Sequence, residues 1–486
     1  MFLNPTLWLP MAVLSCYLIA SIVSAQQPNI MLILIDDMGY DERSSRDPRY
    51  RTPTMDDLAS KSVRLNYLYT QPSCTMSRAA LLTGRMPHTM GIEHVFDKFD
   101  NRSVPVGIKL FPAYLQEANY QTHAIGKWHL GMCNESMIPT RRGFHTFSGC
   151  LHGNSDHFFK FRNEPYDFWT NETLDRSVKG KYDTEVLAQR AISIIKAHKK
   201  SGTTQPFFIY LAFKAIHSPI TVPAYLSDRC SHISDPLIRD RCGTMAGVDD
   251  ALKNITKTLE GQGYTKKPLM LMVMSDNGGS SPNGASNWPL RGKKATPFEG
   301  GTRVPAFMYS FGLLPDAPRD YNGLIHITDV PLTLISMARN SNTPVVVPDV
   351  DGKDQWQAIK QNGPSQRTVW VYQMWDDEAG VRKGKYKLVY HTSGPCSGWY
   401  NPLPGVNTSL PEDVLDCGGY MLFDLEQDPY EINDLSKDPD YADEMNDVME
   451  YFNMEKARKI PVQIAAINPN MPADDADWKP DWCPEA

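Results

Sequence analysis

The hydrophobic pattern divides the chain before any single residue does. Ile30–Ile35, Phe207–Phe213 and Pro268–Ser275 are nearly continuous apolar runs, and Thr122–Gly126 is a shorter one. Runs without polar alternation predict strands buried on both faces of a sheet. Between them, Thr184–His198 and Met245–Leu259 carry helical spacing. Buried strands alternating with helices from about residue 28 to 340 predict an α/β body, a mostly parallel sheet flanked by helices. The segment Asn340–Arg367 is rich in proline and polar residues and reads as a connection between domains. Beyond it, Thr368–Tyr372 and Tyr386–Tyr390 look like antiparallel strands of a smaller domain. From Asn468 onward there is no periodicity, and loops are expected. The chain shows no internal repeat and no low-complexity tract.

Each run gives way to polar residues. Asp36-Asp37 ends the first, Lys127-Trp128-His129 the shorter one, and Asp276-Asn277 the last, while His217 comes soon after Phe213. Ligands of open α/β sheets bind outside the carboxyl ends of the strands. Three carboxylates, an amide, two imidazoles and an ammonium are thus expected at one edge. Oxygen ligands without thiolates suit a hard cation, Ca²⁺ or Mg²⁺, and the nearby cations suit an anionic substrate. Asp-Asp and Asp-Asn pairs also start turns, but four coincident strand ends favour a site. The stretch Gln71–Arg85 supplies a candidate nucleophile. Ala79–Leu82 favour a helix, Ser73 and Thr75 are candidate caps, and Cys74 falls at the first turn, where the helix dipole favours an anion. Arg78 follows one turn later on the same face. The bland alternative is a buried structural cysteine beside a solvated arginine.

Together these residues resemble a known family. Cys74-Thr75-Met76-Ser77-Arg78 with Leu81-Leu82-Thr83-Gly84-Arg85 is similar to the first sulfatase signature, and Asn119–Gly131 to the second. His217-Ser218-Pro219, Ser275–Gly279 and Lys294 through Phe298-Glu299-Gly300-Gly301 fit in the family's order, and the likeness covers roughly residues 28 to 440. Within the family, Asn287–Lys294 and Pro139–Phe144 most resemble arylsulfatase B (N-acetylgalactosamine-4-sulfatase) and its relatives. The resemblance implies an alkaline-phosphatase-like fold with a smaller C-terminal domain. It also implies hydrolysis of sulfate esters of sugars or aryl alcohols. Cys74 would be oxidised by the formylglycine-generating enzyme to formylglycine, and one hydroxyl of its hydrate would attack sulfur. One Ca²⁺ would be held by Asp36, Asp37, Asp276, Asn277 and modified Cys74. Lys127 and Lys294 would hold sulfate oxygens, His217 would act as acid and substrate contact, His129 would position the hydrate, and Arg78 would orient residue 74. Gly300-Gly301 would serve a tight turn.

One position departs from the family pattern: Met76 stands where the modification motif has proline. Proline fixes φ and removes a donor; methionine does neither. The alternative reading is therefore a non-catalytic relative that binds sulfated glycans with Cys74 unmodified. A metal-dependent phosphohydrolase on the same scaffold is a third.

Composition narrows the setting. The chain has 486 residues, 41% hydrophobic, with 37 prolines, net charge −7 and pI about 6.0. That argues against a general nucleic-acid binder, which shows a basic stripe. Leu7–Ala25 is almost wholly apolar and ends in Val23-Ser24-Ala25, so residues 1–25 read as a cleaved signal peptide, with an uncleaved anchor as the alternative. No later stretch is expected to span a bilayer. Sequons at Asn101, Asn134, Asn171, Asn254 and Asn407 agree with a secretory route to the lysosome or the extracellular space. The expected domains are 26–362, catalytic, and 363–486, smaller. Of nine cysteines, Cys16 lies in the signal segment. Setting Cys74 aside, local pairing joins Cys133 to Cys150, Cys230 to Cys242 and Cys396 to Cys417, and leaves Cys483 over.

Overall fold

The computed structural model describes residues 26–97, 101–160, 166–392, 396–400, 413–414 and 417–463. The signal segment, Asn407, Cys483 and the tail from Asn468 lie outside them.

A ten-stranded sheet forms the centre. Its middle is parallel, in the order Leu269–Ser275, Asn29–Ile35, Phe207–Phe213, Gln121–Gly126 and Thr146–Gly149. Ile33 faces Leu211 on one side and Val273 on the other. Ala306–Phe311 adds antiparallel to Leu269–Ser275, and short strands complete both edges. The continuous apolar runs have a direct cause. In the first strand Ile30, Leu32 and Leu34 enter one core and Met31, Ile33 and Ile35 enter the other. One core packs on the Cys74–Thr83 helix, the other on the Asp183–Ser201 and Pro236–Gly261 helices. Burying each such side chain is worth about 1.5–3 kcal/mol, so a one-residue slip of register is strongly penalised.

Both predicted helices extend beyond their periodic segments because capping sets their ends. Asp235 accepts from the Leu237 and Ile238 amides ahead of Pro236, a favoured start. Asp183–Ser201 has acids in its first turn, His198, Lys199 and Lys200 in its last, and Gly202 at φ 67° as its stop.

The second sheet is antiparallel: Val369–Met374, Glu378–Lys383, Tyr386–His391 and Gly419–Asp424. The Ala442–Ala457 helix packs against it, through Val448 and Phe452 in a core with Trp370 and Leu388. Tyr69 and Met86 from the first part of the chain join that core. Residues 340–367 run between the two sheets but are not a free connection, because Trp356 and Ile359 are buried in the main core.

Cysteine pairing needs one correction. Cys230–Cys242 and Cys396–Cys417 are bonded as expected. Cys150 is a free, buried thiol, and Cys133 is disulfide-bonded to a partner outside the described residues. Sequence proximity misled here. Cys133 sits in the apolar core with Trp128 and Ile138. Cys150 is carried by its strand beside Asp167 and Lys214, where burial pushes its thiol up to about 12.

Candidate active site

The strand ends converge as the pattern requires. Ligand atoms of Asp36, Asp37 and Asp276 lie within 4.8 Å of one another, and so do those of Asp36, Cys74 and His217. Asp36 and Asp37 leave the central strand, Asp276 and Asn277 its neighbour. Cys74 is the first residue of the Cys74–Thr83 helix, every residue of which is buried. Ser73 stands at the cap position without a side-chain cap bond, and the Thr75 hydroxyl instead accepts from the Phe96 amide at 3.2 Å. The expected caps therefore leave the first amides of the helix free, and the dipole beside Cys74 undiminished.

Three cations meet the three carboxylates. Lys127 Nζ is 2.5 Å from Asp36 Oδ2, and Lys294 Nζ is 2.6 Å from Asp37 Oδ1. Arg78 donates to Asp276 Oδ2 at 3.0 and 2.8 Å and to the Lys127 carbonyl at 2.7 Å. Arg78 thus grips a carboxylate and the second strand-end turn. Burial alone would raise the Asp37 pKa, but Lys294, His217 and Lys127 hold it well below the carboxylate range. Burial, with Asp36 close by, raises that of Asp276 against the pull of Arg78. Burial, Lys294 and Lys127 push His217 well below the ordinary imidazole value. Its Nδ1 lies 2.6 Å from the Ser218 carbonyl, which leaves Nε2 facing Asp37 at 3.9 Å.

Side-chain exposure gives the pocket a direction. Asp36, Asp276, Arg78 and Lys127 are sealed, whereas His217 and Lys294 remain 13% and 16% exposed. A ligand therefore enters from the His217–Lys294 side. His129 stands deeper. Its Nε2 meets the Phe96 carbonyl at 3.0 Å, and its Nδ1 is buried without a partner. Burial, with Lys127 nearby, keeps it neutral. Asp37 and His129 both have φ 61°, a region costly for residues with a side chain and concentrated at functional sites.

The donor set fits a hard cation. Asp36 Oδ1 and Asn277 Oδ1 are buried oxygens without hydrogen-bond partners, and such orphans are rare in a folded interior. With Asp37 and Asp276 they form an all-oxygen group of the kind that suits Ca²⁺. Cys74 and His217, which share a cluster with Asp36, place residue 74 at its rim.

Sequence reading missed one arginine. Arg241, on the long helix, donates to the Asp37 carbonyl at 2.7 Å and the Ile216 carbonyl at 3.0 Å, and its Nε meets Glu42 at 2.5 Å. It ties together the loops that carry Asp37 and His217. It lies just before the periodic segment Met245–Leu259, so nothing in its spacing marked it. Asn287 belongs to the Asn287–Lys294 motif, which gives it no role by itself. Its side chain bridges the Gly279 amide and carbonyl at 2.8 and 3.0 Å and so fixes the turn after Asn277.

A mostly parallel sheet with oxygen ligands and cations gathered at its carboxyl edge defines an alkaline-phosphatase-like ester hydrolase. The Sulfatase family model matches residues 28–340. Mouse arylsulfatase J is 32% identical over 450 residues, covering 86% of this chain and 74% of that protein. Dog N-acetylgalactosamine-6-sulfatase is 28% identical over 495 residues, 94% of this chain and 91% of that one. The crystal structure of Ps i-CgsB in complex with k-i-k-neocarrahexaose superposes with a TM-score of 0.76 at 25% identity, over 90% of this chain and 94% of that one. The chain belongs to the sulfatase family and is a sulfuric ester hydrolase.

Proposed function

We propose that the protein hydrolyses sulfate esters of sugars or aryl alcohols at residue 74, converted from cysteine to formylglycine. The observation that carries this reading is the meeting of Cys74 at a free helix start with Asp36 and His217, beside two orphaned buried oxygens. Asp36, Asp37, Asp276, Asn277 and modified residue 74 would hold one Ca²⁺. The ion would supply a Lewis-acid charge for sulfate oxygens and for residue 74, and the formylglycine hydrate a hydroxyl nucleophile with an internal route for product release. The remaining roles belong to the side chains. Lys294 and Lys127 bind sulfate oxygens as point charges. An anion placed between them offsets the cations that depress His217, so that its Nε2 can take up the proton that it returns to the leaving oxygen. His129, with one nitrogen held by Phe96, keeps the other for the hydrate. Arg78 fixes Asp276 and supports the helix start.

Sulfated carbohydrate is the favoured substrate class, since relatives include N-acetylgalactosamine-6-sulfatase and a structural neighbour was crystallised with k-i-k-neocarrahexaose. The secretory pathway, ending in the lysosome or outside the cell, is the proposed location. The sequons at Asn134, Asn171 and Asn254 are exposed and that at Asn101 is half-buried. Among the described residues no helix is long and apolar enough to cross a membrane. We also propose a catalytic domain over 26–362 and a smaller one over 363–486.

Met76 favours a second reading, a glycan-binding relative with an intact Cys74. Mass spectrometry of the peptide spanning residue 74, with turnover of an aryl sulfate and the matching aryl phosphate, separates the readings. Formylglycine and preference for the sulfate ester are expected. An intact thiol throughout without turnover supports the binding relative, and preference for the phosphate overturns both.

A further inference from the structure

Three residues beyond Asp37, at Tyr40, the chain enters the wall of a separate cavity of about 480 Å³. That distance along the chain spans at most about 11 Å. Tyr40, Tyr67 and Trp288 supply aromatic walls, Arg46 and Arg303 two guanidinium groups, and Asp41 a buried carboxyl. Trp288 follows Asn287, which fixes the turn after Asn277, and Lys294 follows in the same loop. The cavity and the active site therefore share two loops.

The polar groups of this cavity are underused. The Arg46 guanidinium lies over the Tyr40 ring, 3.8 Å from its centroid, and donates to the Tyr40 carbonyl; among the described residues no carboxylate pairs with it. Burial pushes its pKa below the ordinary arginine value, as expected of a cation short of counter-charge. Arg303 stacks over Tyr67 at 4.3 Å, donates to the Asn66 carbonyl at 3.0 Å, and reaches Glu299 only at 4.0 Å. Asp41 is 6% exposed; its Oδ2 accepts from the Ser286 hydroxyl at 2.9 Å, and its Oδ1 is buried with no partner. Burial pushes this carboxyl up to about 7, against the Ser286 bond and with Glu42 and Asp47 close by. Near neutral pH it both donates and accepts.

Aromatic walls take the apolar face of a ring, guanidinium groups an anion, and a half-protonated carboxyl a hydroxyl. We propose that this cavity is a second sugar subsite, which binds an anionic residue of an oligosaccharide whose adjoining sulfate ester lies between Lys127 and Lys294. The anion is a sulfate or a carboxylate, chemistry the cavity shares. The proposal rests on the sulfate-ester reading and makes the substrate an oligosaccharide rather than a small aryl sulfate.

The test uses the full chain with Arg46→Gln, and Trp288→Ala as a second variant from the other loop. The probes are a chondroitin sulfate tetrasaccharide, which carries carboxylates, a carrageenan tetrasaccharide, which carries sulfates alone, and an aryl sulfate. In both variants KM for a tetrasaccharide is expected to rise about tenfold or more relative to any change for the aryl sulfate, since Arg46→Gln loses a charge-assisted contact and Trp288→Ala an aromatic wall. Binding of the carrageenan tetrasaccharide shows that a sulfate suffices, and binding of the chondroitin sulfate tetrasaccharide alone assigns a carboxylate. Equal changes for both substrate types, or none, would overturn the subsite. Titration calorimetry with the same tetrasaccharides reads the subsite even if no sulfate ester is hydrolysed. Affinity weakened about tenfold in Arg46→Gln supports it; no binding by the wild-type protein, or equal binding by both, refutes it.

Discussion

At the scale of single residues, Met76 carries the largest consequence. It is the third residue of the Cys74–Thr83 helix and is buried in the main core. The first backbone bond here runs from the Ser77 amide to the Ser73 carbonyl. The residue 76 amide has no helical acceptor, so proline there forfeits no hydrogen bond. Met76→Pro is therefore expected to raise the formylglycine fraction at residue 74, seen by peptide mass, with a stability loss of about 1–3 kcal/mol from the vacated core volume. No gain in conversion would show that Met76 is not what limits maturation. Much of the site could be read at this scale, because strand ends followed by Asp, Asn, Lys or His mark an edge whatever the loops do. Less legible was where each side chain turns. Arg78 follows Cys74 by one turn, but nothing in that spacing reveals that its long side chain also reaches Asp276. Nor does spacing reveal that His129 spends one nitrogen on Phe96.

At the scale of elements, the helix Pro236–Gly261 does more than cover the sheet. Its Arg241 pairs with Glu42, which also accepts from the Tyr50 hydroxyl, and all three are buried. Arg241→Met leaves the Glu42 charge without its cation and is expected to cost about 3–5 kcal/mol. Adding Glu42→Met removes that charge and should recover much of the loss in chemical denaturation. Activity should stay low in the double variant, because the Asp37 and Ile216 carbonyls still lack their donors. Full recovery of kcat/KM together with stability would show that Arg241 only neutralises Glu42. Elements with continuous apolar runs were legible to within a residue or two, since burial on both faces leaves no other pattern. The short strands Val63–Leu65 and Arg319–Tyr321 were not, being three residues each with mixed burial. The Trp356–Gln361 helix was hidden by the prolines and polar residues around it, although two of its residues anchor the stretch in the core.

At the scale of the whole molecule, the charges of the pocket are balanced and braced from outside it. The C-terminal sheet is tied to the catalytic body by Lys387, 3.1 Å from Glu299 and 2.8 Å from Glu431. Glu299 begins the turn that comes after Lys294, so the smaller sheet braces the open side of the pocket. Within it, Asp36, Asp37 and Asp276 are matched one for one by Lys127, Lys294 and Arg78. By formal charge the protein alone offers an anion no net attraction, and both lysines are engaged. A divalent ion on the orphaned oxygens of Asp36 and Asn277 would make the pocket net positive and loosen Lys294 from Asp37, the more exposed pair. Inorganic sulfate should therefore raise Tm by a few degrees when Ca²⁺ is present and hardly at all after chelation, since a ligand stabilises only the state that binds it. Asp36→Asn should remove both the Ca²⁺ effect and the sulfate effect. Equal protection by sulfate with and without Ca²⁺ would mean that the lysines alone hold the anion, and that the ion has no part in binding it.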